Sequence, residues 1–223
     1  SQQASVSGLT GTYYDISADA TPNYSFARTD LPDKVRLVRT DSLVRFDWGT
    51  NAPTPAMPAA HYMVQWQGFI TPPASGSYTF GFVRDDGAKL ILNGTTAVDQ
   101  WNNAHQENVV WGAGTSLTTA ATGSIVPTPI AVQFYNNNGS GLVELWVKGT
   151  YKDANGVQQT LDPTVVPASW LTRKVETLPP GWGATTALTG SNTAYVRAEV
   201  KESSVTLTDT TGTAHTYNRT RSE

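Results

Sequence analysis

Asp85 and Asp86 are adjacent carboxylates followed by Gly87, inside the run Val83-Arg84-Asp85-Asp86-Gly87-Ala88-Lys89-Leu90-Ile91-Leu92. Neighbouring aspartates repel each other, so a fold that holds both together supplies a cation or hydrogen-bond donors. A hard cation such as calcium takes about 6–8 oxygen ligands from carboxylates, amide oxygens, carbonyls and water. A second oxygen-rich tip, Asn136-Asn137-Asn138-Gly139-Ser140-Gly141, lies further along the chain. Both tips sit between alternating apolar runs, at strand ends, where a sandwich clusters its loops. The two together suit a calcium ion; an ordinary solvated turn at Asp-Asp-Gly fits the same spacing.

Other chemistry is sparse. The chain has no cysteine, which excludes disulfide frameworks, thiolate metal sites and thiol nucleophiles. His61, His105 and His215 are scattered, without the spacing of a metal or catalytic pair. Ser75-Gly76 lacks the strand–turn–helix context of a nucleophile elbow. A glycosidase-like pair drawn from Asp47, Asp99, Glu107 and Glu144 would need contacts between distant segments. The expectation is a binding protein, not an enzyme.

The elements that must position these tips read as strands throughout. Tyr62-Met63-Val64-Gln65-Trp66-Gln67-Gly68-Phe69-Ile70 alternates with large residues on one face, and Tyr78, Phe80 and Phe82 repeat that pattern after a Pro/Ser/Gly turn. Leu90 to Leu92 ends at Asn93-Gly94, a strong hairpin signal. Ile130 to Tyr135 alternates into the Asn tip, and Leu142 to Val147 leaves it. Residues 102–123 are polar, with Val109-Val110-Trp111 as an ordered island. No stretch keeps a helical period, so the chain is an all-β sandwich or barrel. Residues 1–172 are expected to form the main antiparallel β domain, 173–190 a linker, and 191–223 a β-hairpin extension or the start of a following module.

Composition narrows the partners. The 223 residues are 39% hydrophobic and 15% charged, with a net charge of −3 and no cluster of Lys and Arg, which argues against nucleic acid. No apolar run approaches the roughly 20 residues of a membrane-spanning helix. The polar start at Ser1 reads as a mature form or an excised fragment, and the end at Glu223 leads us to expect further domains of a larger chain.

The motif series Tyr62-x-x-x-Trp66-x-Gly68-x-Ile70, Ser75-Gly76-x-Tyr78-x-Phe80, Asp85-Asp86-Gly87, Leu90-x-Leu92-Asn93-Gly94 and Val98-x-x-Trp101 resembles the PA-fourteen (PA14) family, named from anthrax protective antigen. Gly8 to Tyr14 resembles its opening strand, and Phe134-Tyr135 through Leu145-Trp146 its closing hairpin. The resemblance implies a β-sandwich used in bacterial toxins, glycosidases and adhesins and in yeast flocculins. In its lectin branch two consecutive aspartates joined by a cis peptide bind calcium, and Asp85 and Asp86 match that pair. The branch adds an Asn side chain and carbonyls from a second loop; Asn137 is the best match, with Asn136 and Asn138 as neighbours. Vicinal sugar hydroxyls complete the calcium shell there. The specificity loop and cysteines of the yeast branch have no counterpart in this sequence.

The resemblance therefore implies a calcium-dependent carbohydrate-binding module of a large exported bacterial protein, secreted or at the cell surface, with glycans as partners. Trp111 is an expected sugar contact, whereas Trp101, which matches a family position, and Trp48, Trp66 and Trp146 are expected to pack structurally. The tail around Tyr195 to Tyr217 resembles segments of actinobacterial YD-repeat proteins. Two alternatives follow: a structural spacer of a YD-repeat or toxin-type protein, or an accessory domain of a glycosidase.

Overall fold

A computed structural model of the chain describes residues 2–117, 125–177, 195–200, 204–209 and 214–218. Two antiparallel sheets face each other around one apolar core. The first sheet contains β1 (Gln2–Ser7), β2 (Leu9–Asp15), β3 (Val35–Asp41), β5 (Tyr62–Ile70), β7 (Gly87–Leu92), β8 (Thr95–Gln100), β10 (Thr128–Asn136) and β13 (Leu171–Thr177). The second contains β4 (Arg45–Gly49), β6 (Gly76–Asp85), β9 (Gln106–Leu117), β11 (Gly141–Lys152) and β12 (Gln158–Val165). The chain is an all-β sandwich of the expected type.

The core is built by side chains two residues apart, as strand geometry requires. Tyr62, Val64 and Trp66 on β5 are buried against Tyr78, Phe80 and Phe82 on β6, Phe134 on β10 and Val143, Leu145 and Val147 on β11. Each such side chain contributes about 1.5–3 kcal/mol through burial. Trp66 also donates its Nε1–H to the buried Asp41 carboxylate at 2.8 Å, which Tyr13 Oη meets at 2.6 Å and Arg39 Nε at 2.8 Å. Trp170, at the end of a 3-10 turn (Ala168–Trp170), closes the far end by packing its ring edge-on against Tyr78.

Three local expectations change. The polar N-terminus forms β1, which pairs along its whole length with β13, so residues 173–177, expected in the linker, are strand. β9 spans twelve residues, far beyond the island at Val109-Val110-Trp111, because β6 offers it a long edge to pair with. Most importantly, β6 and β7 are not a hairpin: they belong to different sheets, and Asp85-Asp86 is where the chain crosses between them. By contrast, Asn93-Gly94 does turn a hairpin between β7 and β8, with φ of 49° and 77° at its two residues.

The tail strands β14 (Tyr195–Val200), β15 (Ser204–Asp209) and β16 (Ala214–Asn218) form a separate three-stranded antiparallel sheet. The expected linker at Leu178 to Gly183 lies outside the described residues.

Candidate functional site

The crossover at Asp85-Asp86 lies beside a second one. β10 ends at Asn136 in the first sheet and β11 begins at Gly141 in the second. Pairing locks the two crossovers together: Asp85 sits opposite Leu142, and Gly87 opposite Tyr135. The Asp86 N–H donates to the Tyr135 carbonyl at 3.1 Å. Both acidic residues and the Asn tip therefore stand at one end of the sandwich, between the sheets.

The peptide joining Asp85 and Asp86 is cis, as the family resemblance implies. Gly87 is needed next because the Tyr135 ring lies over it: a Cβ there would be 2.1 Å from Tyr135 Cε1. Both aspartates are buried, at 8% and 7% exposure, which is rare for carboxylates without compensation. Asp86 Oδ2 accepts the Asn137 backbone N–H at 2.8 Å. Burial pushes the Asp86 carboxyl above its ordinary range, and Asp85 beside it adds to the push; the N–H groups of Asn137 and Ala104 only partly offset them. Asp86 is thus short of compensating charge.

What positive charge exists stands to either side. His105 Nδ1 lies 2.6 Å from Asp85 Oδ2, and its Nε2 lies 3.0 Å from Glu107 Oε1. Glu107 first, and Asp85 second, raise the His105 imidazole above its usual value. Arg84 is buried beneath the crossover and donates to the Asp86 carbonyl at 3.0 Å. Its remaining donors reach the Asn102 carbonyl (2.7 Å) and Oδ1 (2.8 Å) and the Oε1 atoms of Gln106 (2.9 Å) and Gln100 (3.2 Å). The guanidinium fork thereby fixes the loop that carries His105, while burial lowers the Arg84 pKa.

The Asn tip supplies neutral oxygens. Asn136 is fully buried, and its Nδ2 donates to the carbonyls of Ala59 (3.2 Å) and Gly139 (3.1 Å), which sets the amide's orientation. Its Oδ1 and the Tyr62 hydroxyl are buried polar atoms without a hydrogen-bond partner among the described residues. Burial raises the Tyr62 phenol above its ordinary range, Asn136 beside it offsets part of this, and the charges of Asp85 and Asp86 reach it. Asn137 Oδ1 accepts from the Tyr24 hydroxyl at 2.8 Å, and that hydroxyl also lies 2.9 Å from His61 Nδ1. The Asn137 carbonyl accepts the His61 N–H, with His61 at a φ of 56°. Asn138 is exposed at the tip.

Five of the six expected site residues are therefore brought to one place: Asp85, Asp86, Asn136, Asn137 and Asn138. Trp111 is not. It pairs with Gly81, four residues down β6 from Asp85, and carries Lys148 Nζ 4.5 Å over its ring. Trp101 packs edge-on against Tyr135 at 4.8 Å, in a small cluster under the loop that bears Tyr24. Sequence reasoning passed over His105, Arg84 and Tyr24. The His105-x-Glu107 spacing is a local signal for the first, since it brings the imidazole within 3.0 Å of the Glu107 carboxylate at the start of β9; no local signal marks the other two.

No group of three or more His, Cys, Asp or Glu side chains able to hold a metal gathers among the described residues. A cation here would depend on the two carboxylates together with amide and backbone oxygens. Two buried carboxylates, with the Asp86 carboxyl pushed up by burial, and an orphaned amide oxygen fit a calcium ion, whose ligands are all oxygen.

The family model described as the PA14 domain matches residues 5–149. The anti-sigma-I factor RsgI3 of Acetivibrio thermocellus is 34% identical over 112 residues, which are 48% of this chain and 15% of that protein. The solved anti-sigma factor domain-containing protein from Clostridium clariflavum is similar at 26% identity and a TM-score of 0.54, over 81% of this chain and 50% of that one. The chain thus spans half of that solved structure and a much smaller share of RsgI3. A PA14 sugar-binding domain from an RTX adhesin shares the fold, with a TM-score of 0.52 at 15% identity over 75% of this chain and 99% of that domain.

Proposed function

The chain belongs to the PA14 domain family, and on that premise we propose that it is a calcium-dependent carbohydrate-binding module of a larger exported bacterial protein. The observation that carries this reading is the pair of buried carboxylates at the sheet crossover, facing a tip whose Asn136 amide oxygen has no partner. Asp85 and Asp86 would hold the ion, with Asn137 and Asn136 supplying amide or backbone oxygens. A bound calcium would supply open coordination positions for two adjacent sugar hydroxyls. The chain's own residues do the positioning. The Asn137 N–H orients Asp86, His105 orients Asp85, and the Tyr24 hydroxyl orients the Asn137 amide. Binding, not catalysis, is the role this site supports, and a secreted or cell-surface location follows from glycan partners. The name of the RTX adhesin domain, a sugar-binding one, agrees with this reading.

The relatives named as anti-sigma factors favour a second reading of what the binding is for. In it, the module is the sensing part of a larger regulatory protein, and glycan binding outside the cell is the signal. Both readings predict sugar binding.

The test is a glycan array probed in calcium, in chelator, and with Asp86→Ala. The expected result is binding in calcium that disappears in chelator and in the variant. Binding that survives both would refute the metal-bridged mechanism; binding to no glycan would refute the sugar reading.

A further inference from the structure

Beside the acidic crossover lies a cleft of about 530 Å³ between the loop at residues 23–27 and the outer face of β7 and β10. That volume falls within the roughly 300–1,000 Å³ of small-molecule sites. Its walls are aromatic, from Tyr24, Phe26, Trp101 and Tyr135, and its floor carries Lys89 and Gln133. Resting on the sugar reading above, we infer that this cleft is the subsite for the second pyranose of a glycan whose first ring sits at Asp85-Asp86, so that the module reads oligosaccharides and not single sugars.

The chemistry of the lining matches such a ring. A pyranose has apolar C–H faces that lie against aromatic rings and a rim of hydroxyls that need donors and acceptors. Lys89 Nζ stands 5.3 Å from the Trp101 ring centroid, with only Oδ2 of the exposed Asp99, at 4.0 Å, as its ion-pair partner among the described residues. The Gln133 amide is anchored by its Nε2 donating to Gln65 Oε1 at 2.8 Å.

The cleft is preformed. Arg28 ties the loop by charged hydrogen bonds to Asp19 (2.6 Å) and Asp30 (2.8 Å) and by a third bond to the Asn23 carbonyl (2.8 Å). The Trp101 Nε1–H donates to the Tyr24 carbonyl at 3.0 Å, and the Tyr24 and Tyr135 rings stack at 4.1 Å. Walls already held in place lose little conformational freedom when a ligand arrives.

Continuity with the acidic site sets the occupant. The two tyrosines that wall the cleft also touch the ion-binding candidates: the Tyr135 carbonyl accepts the Asp86 N–H, and the Tyr24 hydroxyl donates to Asn137 Oδ1. A glycan leaving the tip toward β10 therefore meets this cleft next.

The experiment is an array of mono-, di- and trisaccharides in calcium, followed by calorimetry on the strongest extended glycan and on its terminal monosaccharide. The parent chain and a Lys89→Met/Gln133→Leu variant are compared. The parent is expected to bind the extended glycan about tenfold more tightly than the monosaccharide. The variant is expected to lose that gain while keeping the parent's affinity for the monosaccharide and its calcium-induced melting shift. Equal affinity for short and extended sugars, or a gain that survives in the variant, would overturn the subsite alone. Failure of every glycan to bind in calcium would overturn the sugar reading and the subsite with it.

Discussion

Replacing Asp86 with asparagine should act in opposite directions with and without calcium. In the ion-free chain the Asp86 carboxyl is buried at 7% exposure beside Asp85, and both burial and that neighbour disfavour its ionised form. An amide removes the charge yet keeps an oxygen for the Asn137 N–H, which donates to Asp86 at 2.8 Å. In chelator the variant should therefore melt at or above the parent. With calcium at a hundredfold excess over its dissociation constant, the parent should gain about 2.7 kcal/mol. For a domain of this size each kcal/mol moves the melting temperature by about 2–4 °C, so the expected shift is about 5–11 °C. The variant has lost one of two charged ligands and should shift far less. Scanning calorimetry in chelator and at graded calcium reads both halves. A variant that melts well below the parent in chelator, and still shifts with calcium as the parent does, would refute the argument.

Further consequences can be checked in the same way. The Asp86 pKa is raised above the value of 3.8 expected for an unfolded chain, so its contribution to stability is whole below that pH and is lost as pH rises through the folded value. Melting curves in chelator should show the parent falling behind Asp86→Asn across that window, and the calcium-induced shift should grow over the same window as the carboxylate becomes available. Gly87→Ala would place a Cβ 2.1 Å from Tyr135 Cε1, and the forced ring movement should cost about 1–3 kcal/mol in urea unfolding. Arg84→Met would strip the acceptors on Gln100, Asn102, Gln106 and the Asp86 carbonyl of a shared donor. Asn102 is exposed and Gln100 and Gln106 are half-buried, so the buried Asp86 carbonyl dominates and the loss should be about 1–3 kcal/mol in the same assay. Arg84→Lys should restore only part of it, because an ammonium lacks the planar five-donor fork.

The strands were legible because each carries its own period of two, and that period is set by the local pleat whichever strand lies alongside. Tyr78, Phe80 and Phe82 announce a buried face on their own. What the period does not carry is the identity of the partner. The run through Asp85-Asp86 therefore read as a strand, a turn and a strand, although β6 pairs with β9 and β11, and β7 with β8 and β10. The same limit explains Trp111. Its place in sequence soon after the acidic run suggested the tip, but antiparallel pairing runs β9 back along β6 and sets it opposite Gly81. It also explains β13, whose pairing with β1 joins segments about 170 residues apart in the sequence.

That non-local origin bears on how the site works. A calcium loop whose ligands fall within about a dozen consecutive residues carries its own scaffold in that short segment. Here Asp86 and the Asn137 N–H that orients it are 51 residues apart, and each lies in a passage between the sheets, Asp86 from the second to the first and Asn137 from the first to the second. The two crossovers come into register only when β10 has paired with β7 and β11 with β6. Arg84 adds a third segment, since it holds the loop before β9 against the Asp86 carbonyl. The oxygens that would meet an ion are thus fixed by the alignment of both sheets, so the energy of ion binding would act on the whole sandwich and not on one turn. A mutation that loosens the sheets far from Asp85 should weaken calcium binding, whereas a substitution in the exposed loops around the site should not.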